Sequence, residues 1–253
     1  MPTGCDQVPH GSALVRHAGR GPLVGDGADV STPVALSWSG GKDSSLALQA
    51  LRAGGEHEVV ALVTSVTREY DRVSIHGVRR ALLEAQAAAV RLPLIEIALE
   101  PKSSDAAYRR AFLDALDVLA TQHPEVRGIA FGDLYLRDVR DYRDRLLAHT
   151  SFHGVYPLWE RPTRMLAESF IADAFRATLV CVDETQLDAG FAGRPFDRAL
   201  LSALPASADP CGENGEFHTF VHDGPIFAHP IAVERGEIVR RDDRFTYCDL
   251  LPA

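Results

Sequence analysis

The 253-residue chain is 46% hydrophobic, enough to bury one large domain or two modest ones, and its formal net charge of −9 argues against broad nucleic-acid binding. Its apolar runs fall short of a membrane span and no N-terminal stretch reads as a signal peptide, so a cytoplasmic protein with no membrane part is expected. The four cysteines, Cys5, Cys181, Cys211 and Cys248, form no C-x-x-C pair, which argues against a zinc or iron–sulfur site or a disulfide framework and fits a reducing compartment.

Residues 1–30 are rich in Gly, Pro, Asp and Ser and have no hydrophobic period; they are expected to be a disordered leader or sequence upstream of the true start. Val34–Trp38 is a short apolar run suited to a buried parallel strand. Ser39-Gly40-Gly41-Lys42-Asp43-Ser44 turns the chain into a helix over Ser45–Ala53, which Gly54-Gly55 ends. Strand, glycine turn and helix start bring free backbone N–H groups and a positive helix end to one point, an arrangement suited to phosphate. A Walker A loop is excluded, because Leu36 stands where its first glycine is needed and Asp43 replaces the Ser/Thr after the lysine. The plain alternative is a Gly-Gly turn with an incidental lysine. Against it, Lys42 is one of only two lysines in the chain, which suggests that a compact ammonium is required there.

The alternation continues. Glu58–Val66 reads as a second strand, residues 67–77 as a polar loop containing His76, and Val78, Leu82, Ala85 and Ala89 as one face of a helix. Leu94–Leu99 is a third strand, Tyr108, Phe112, Ala115 and Leu119 mark another helix, and Arg127–Phe131 is a fourth strand closed by Gly132-Asp133. Such alternation predicts an α/β fold with a parallel sheet, and ligands of such sheets bind beyond the strands' carboxyl ends. The nucleotide set expected there is Ser37, Ser39, Gly40, Gly41, Lys42, Asp43, Ser44, Thr64 and Asp133. Asp138–His149 follows as a charged helix, then a helix from about Thr163 to Phe175 and a strand over Arg176–Val182. A domain boundary is expected near residue 150, giving a nucleotide-binding domain over 31–150 and a substrate-binding domain over 151–253. Phe217–Val221, Ile226–Val233, Glu237–Val239 and Phe245–Tyr247 read as an antiparallel meander.

Asp209–Val221 crowds Glu213, Asn214, Glu216 and His218 around one turn. Asn214-Gly215 alone would be an ordinary hairpin signal, but it leaves both glutamates and the histidine unexplained. Cys211 with His218 would make an incomplete metal site. Substrate binding or proton transfer is the reading preferred for Glu213, Glu216 and His218.

The hexapeptide S-G-G-K-D-S resembles the pyrophosphate loop (PP-loop) of the N-type ATP pyrophosphatases. Together with Phe131-Gly132-Asp133, Pro157-Leu158-Trp159 and the run from Asp209 to Phe227, it resembles the diphthine–ammonia ligase (diphthamide synthetase) family over about Val34 to Leu251. The resemblance implies an adenine-nucleotide α-hydrolase-like (HUP) domain followed by a smaller C-terminal α+β domain. It implies adenylation of a carboxylate by ATP, release of pyrophosphate, and displacement of AMP by ammonia. Carried onto this chain, Lys42, Glu216 and His218 would be catalytic, and His76, Glu213, Asn214, Glu216 and His218 would face the acceptor. Asp43 and Asp133 would hold Mg²⁺. The wording Gly-Glu-Asn-Gly-Glu-Phe-His-Thr is similar to the family's bacterial branch, which implies an acceptor other than diphthine, such as a corrinoid-derived carboxylate. A tRNA-modifying enzyme using the same loop and a non-catalytic nucleotide-binding regulator are the competing readings. No glutaminase signature is present, so the nitrogen is expected to come from free ammonia or a small amine.

Overall fold

The computed structural model describes residues 31–74 and 76–253; the expected leader lies outside them. Five strands run parallel: β1 (Thr32–Ser37), β2 (His57–Thr67), β4 (Leu94–Leu99), β5 (Gly128–Ala130) and β6 (His153–Val155), in the order β4-β2-β1-β5-β6. From β1 the chain therefore builds outward through β2 and β4, then returns to lay β5 on the other side of β1. The order reverses between β1 and β5, and a crevice opens beyond their carboxyl ends. A two-residue strand, β3 (Arg72–Val73), pairs antiparallel with Val66 and Thr67 at the end of β2. The opposite edge of those residues is taken by β4, so β3 and the loop carrying His76 lie on the β1 side, beyond the end of β1.

Side chains alternate across the sheet as strand geometry demands. Val34 and Leu36 face one core with Leu46, Leu48 and Leu51 of α1 (Lys42–Gly54) and Leu82, Leu83 and Val90 of α2 (Arg80–Val90). Ala35, Ala61 and Val63 face the other, with Phe112, Leu116 and Leu119 of α3 (Asp105–Gln122) and Leu146 and Leu147 of α4 (Arg137–Leu147).

The first core continues into a second sheet. Here α5 (Thr163–Ala172), β7 (Arg176–Asp183), α6 (Arg198–Ala203), β8 (Phe217–Asp223), β9 (Val233–Arg241) and β10 (Phe245–Pro252) follow in sequence, and the antiparallel strand order is β8-β7-β10-β9. Phe217 and Phe220 of β8 and Leu179 and Val182 of β7 join the same buried cluster as α1 and α2. This is the expected parallel α/β part with a smaller antiparallel sheet after it. The tail is not a simple meander, however: β7 lies between β8 and β10. Ile226–Val233 is no strand, because Pro225 and Pro230 lack ladder donors; buried Ile226 and Ile231 anchor it as a crossing segment instead. Among the described residues, no helix is long and apolar enough to cross a membrane.

Candidate active site

The PP-loop is shaped from two sides. Gly40 sits at φ +76, and a Cβ there would come within 2.6 Å of Gln86 Oε1 and 2.7 Å of Leu83 Cδ1. A side chain is thus excluded both by the left-handed backbone and by α2. Gly132, just after β5, approaches the first turn of α1 so closely that a Cβ would lie 2.9 Å from the Asp43 carbonyl carbon. Gly41 caps α1 without a side-chain bond. The Lys42 N–H donates to Thr219 Oγ1 at 3.1 Å and the Ser45 N–H to the Gly41 carbonyl at 3.1 Å, leaving the N–H groups of Asp43 and Ser44 without an acceptor among the described residues. These are the donors a helix start offers an anion.

Lys42 points inward. It is 2% exposed, its ammonium lies 2.8 and 2.9 Å from the two Asp43 oxygens, and it also donates to the Cys211 carbonyl. The rings of Phe217 and Phe196 stand 5.6 and 5.9 Å from it. Burial alone would lower its pKa; the Asp43 carboxylate, with smaller contributions from Cys211 and Glu213, outweighs burial and holds it above the ordinary lysine value. Asp133 is paired in the same way with Arg143 of α4, at 2.8 and 3.3 Å, and that guanidinium stacks 4.5 Å over Phe131.

The third wall is the turn before β8. Asp209 organises it: Oδ1 accepts from the Cys211 and Glu213 N–H groups at 2.8 and 3.3 Å, and Oδ2 from Thr163 Oγ1 at 2.6 Å. Glu216 is 1% exposed, and its Oε1 accepts from the Asp209 N–H at 2.8 Å and Asn214 Nδ2 at 3.0 Å. Exposed Asn214 accepts from the Tyr135 hydroxyl at 3.0 Å. Glu213 reaches across to the β5 end, where Oε1 accepts from the Leu134 and Tyr135 N–H groups at 2.8 and 3.3 Å. Burial pushes Glu213 up to about 7 against the pull of those bonds. The rings of His218 and His76 lie 4.4 Å apart. Burial, helped by the Lys42 charge, lowers His218 to about 4; burial, His218 and Lys42 together take His76 well below the usual histidine range.

These pieces line one cleft of about 230 Å³. It brings together Ser37, Ser39, Gly41, Lys42, Asp43, Ser44 and Asp133 from the expected nucleotide set with His76, Glu213 and His218 from the expected acceptor set. Gly40, Thr64, Asn214 and Glu216 are not among its lining residues. Gly40 stands behind the loop, Thr64 is a 2% exposed residue of β2, and Asn214 and Glu216 bind within and beside the turn. Among the described residues no cluster of three or more His, Cys, Asp or Glu side chains is placed to hold a metal, and Asp43 and Asp133 each already face a cation of the protein.

Sequence reasoning missed Arg143, Thr219 and Gln86. Arg143 sits in a helix whose composition reads as a solvated face. Thr219 is an unremarked residue of a strand. Gln86 had a signal: it is the polar residue four positions after Leu82 on the buried face of α2, where it is fully buried.

A family model described as the diphthamide synthase N-terminal domain matches residues 32–152, and one described as the diphthamide synthase C-terminal domain matches residues 162–250. A Bos taurus protein named diphthine–ammonia ligase is 28% identical over 227 residues, covering 81% of this chain and 84% of its own length. The Homo sapiens protein of that name is 27% identical over 227 residues with the same coverage. The Danio rerio one is 27% identical over 236 residues, 82% of this chain and 89% of its own.

Proposed function

The chain belongs to the diphthamide synthase family, both of whose domains it carries in order, and we propose that it is an ATP-dependent ligase joining ammonia to a carboxylate through an acyl-adenylate. The observation that carries the reading is that the helix start with Lys42 and the turn with Glu213 and His218 line one cleft, at the point where the parallel sheet reverses its strand order.

In this reading the unclaimed N–H groups of Asp43 and Ser44, with the Ser39 and Ser44 hydroxyls, hold the β,γ-pyrophosphate. The acceptor carboxylate attacks the α-phosphorus, and the pyrophosphate oxygen leaves with the bonding electrons. Lys42, kept charged by Asp43, offsets the charge that develops there. Ammonia then attacks the acyl carbon and AMP departs. Magnesium would enter with the ATP phosphates, since this ion takes few carboxylates and keeps waters; Asp43 and Asp133, each already paired with a cation of the protein, would hold it through its waters, and its charge would neutralise the phosphates. The acceptor is a carboxylate other than diphthine, met on the side of His76, Glu213 and His218.

Product analysis tests the reading. The protein is incubated with ATP, Mg²⁺, ammonium chloride and a pool of small-molecule carboxylates, and AMP with pyrophosphate is the expected pair. ADP with phosphate would overturn the pyrophosphatase chemistry.

A further inference from the structure

We infer that the second carboxylate oxygen of Glu213 binds the ammonium ion and takes its proton. The inference rests on the ligase reading for its substrate, but the site is argued from charge and geometry.

Three carboxylates line the cleft, and two are already neutralised: Asp43 by Lys42 and Asp133 by Arg143, each pair at 2.8 Å. Glu213 has no Lys, Arg or His nitrogen within 4 Å among the described residues. Its Oε1 is spent on the Leu134 and Tyr135 N–H groups, which fix the side chain's direction; among the described residues its Oε2 has no hydrogen-bond partner. A half-buried carboxylate held by one oxygen and free at the other calls for a cation or a proton.

The neighbouring imidazoles decide which. His218 and His76 share the cleft and stay neutral, so neither supplies a charge, and each neutral ring has a nitrogen that accepts a hydrogen bond. Nδ1 of His76 is buried without a partner among the described residues. A site built from an anionic oxygen and hydrogen-bond acceptors suits a small cation made only of donors. Ammonium is that cation.

Ammonium gives one proton to Glu213 Oε2 and becomes ammonia, whose lone pair forms the C–N bond while the bond from the acyl carbon to the AMP oxygen breaks. AMP keeps that electron pair, and the surplus proton of the new amide nitrogen passes to water. The charged groups facing Glu213 are Asp43 and Lys42 of α1, which act in opposite senses, so burial dominates and favours accepting the proton near neutrality.

The test uses the whole chain and chloride salts as probes. Thermal unfolding is followed at pH 8 while ammonium replaces sodium at constant ionic strength, in parallel with potassium and tetramethylammonium. A ligand of the folded state at about ten times its dissociation constant raises the midpoint by about 3–5 °C for a chain of this size. Wild type should show that rise with ammonium alone. Glu213→Gln, which keeps the oxygen that holds Leu134 and Tyr135, should melt normally in sodium and show no ammonium rise. An equal rise in Glu213→Gln, or an equal rise with potassium or tetramethylammonium in wild type, overturns the inference. Product analysis fails or succeeds separately, so loss of the ligase reading is distinguishable from loss of this site.

Discussion

Thr219 Oγ1 accepts the first N–H of α1, that of Lys42, at 3.1 Å across 177 positions of sequence. Gly41 has no side chain to cap the helix, so the edge strand of the second sheet does it. The same edge strand sends the Val221 N–H to the Gly40 carbonyl at 2.9 Å. The loop thereby covers the free edge of β8, and its shape depends on the second sheet being in place.

Thr219→Val should therefore cost about 0.5–2 kcal/mol, the range for losing a helix cap, without disturbing packing volume. ATP affinity should fall with it, because the Lys42 N–H then competes for the space the phosphates use. Urea unfolding and ATP titration check both parts; a fully stable variant with unchanged affinity would show that the cap is redundant.

Gln86 binds the same junction from the other side. It is fully buried, accepts from Trp38 Nε1 at 3.0 Å, and donates to the Gly40 and Val221 carbonyls at 3.0 and 2.5 Å. Gln86→Leu keeps the volume but takes the partner from the Trp38 N–H and the Val221 carbonyl, at about 1–3 kcal/mol each when unpaired, while the Gly40 carbonyl keeps the Val221 N–H. A loss of about 3 kcal/mol or more in urea unfolding is expected, and a change below 1 kcal/mol would mean that the junction relaxes around the leucine.

What the sequence revealed and what it hid follow from the range of the interactions. Val34–Trp38, the two glycines and the helix after them are local patterns, and they appear in the structure within a few residues, α1 starting at Lys42 rather than Ser45. The convergence of Ser39–Ser44 with Asp133 was legible because parallel sheets collect their loops at one end. Partners set by tertiary pairing were not legible. Nothing local announces that Thr219 caps α1, that Arg143 turns from a charged helix onto Asp133, or that β7 inserts between β8 and β10. The crowding around Asn214-Gly215 was visible, but its division of labour was not. Glu213 and His218 reach the cleft, whereas Glu216 turns inward and braces the turn.

Lys42→Ala should lower ATP cleavage by about a hundredfold or more, the scale of one transition-state charge contact. Asp43, whose side chain is 30% exposed, keeps some hydration when its partner goes, so the fold should survive. Quenched-flow measurement of pyrophosphate release reads the first effect and circular dichroism the second. Pyrophosphate release at near wild-type rate would remove Lys42 from the chemistry.

Glu216 and His218 are two residues apart but should behave differently. Glu216→Ala leaves the Asp209 N–H and the Asn214 amide without their acceptor, and a stability loss of about 1–3 kcal/mol is expected. His218→Ala removes a cleft wall that anchors no turn bond and should melt near wild type while AMP formation falls about two to four orders of magnitude, if the ring takes part in proton transfer. The pair of melting curves separates brace from chemistry; a normal melt for Glu216→Ala together with lost turnover would return Glu216 to the reaction.

Acid should expose the opposed titrations of Glu213 and His218. Glu213 is raised from 4.5 to about 7 in the fold, so between those values the folded chain binds the extra proton and gains stability as pH falls. His218 is lowered from 6.5 to about 4, so between those values the unfolded chain binds the extra proton and stability is lost as pH falls. The windows overlap from about 4.5 to 6.5, where the two slopes cancel in part. Removing one group should reveal the other. Glu213→Gln should lose stability more steeply than wild type between pH 7 and 5, and His218→Asn less steeply, in melting series read against each parent at pH 8. His76, lowered in the same sense as His218, adds to the loss in both variants and does not reverse their order. Parallel curves for all three proteins would mean that neither group changes its protonation on folding, and would remove the electrostatic basis for Glu213 as the proton acceptor.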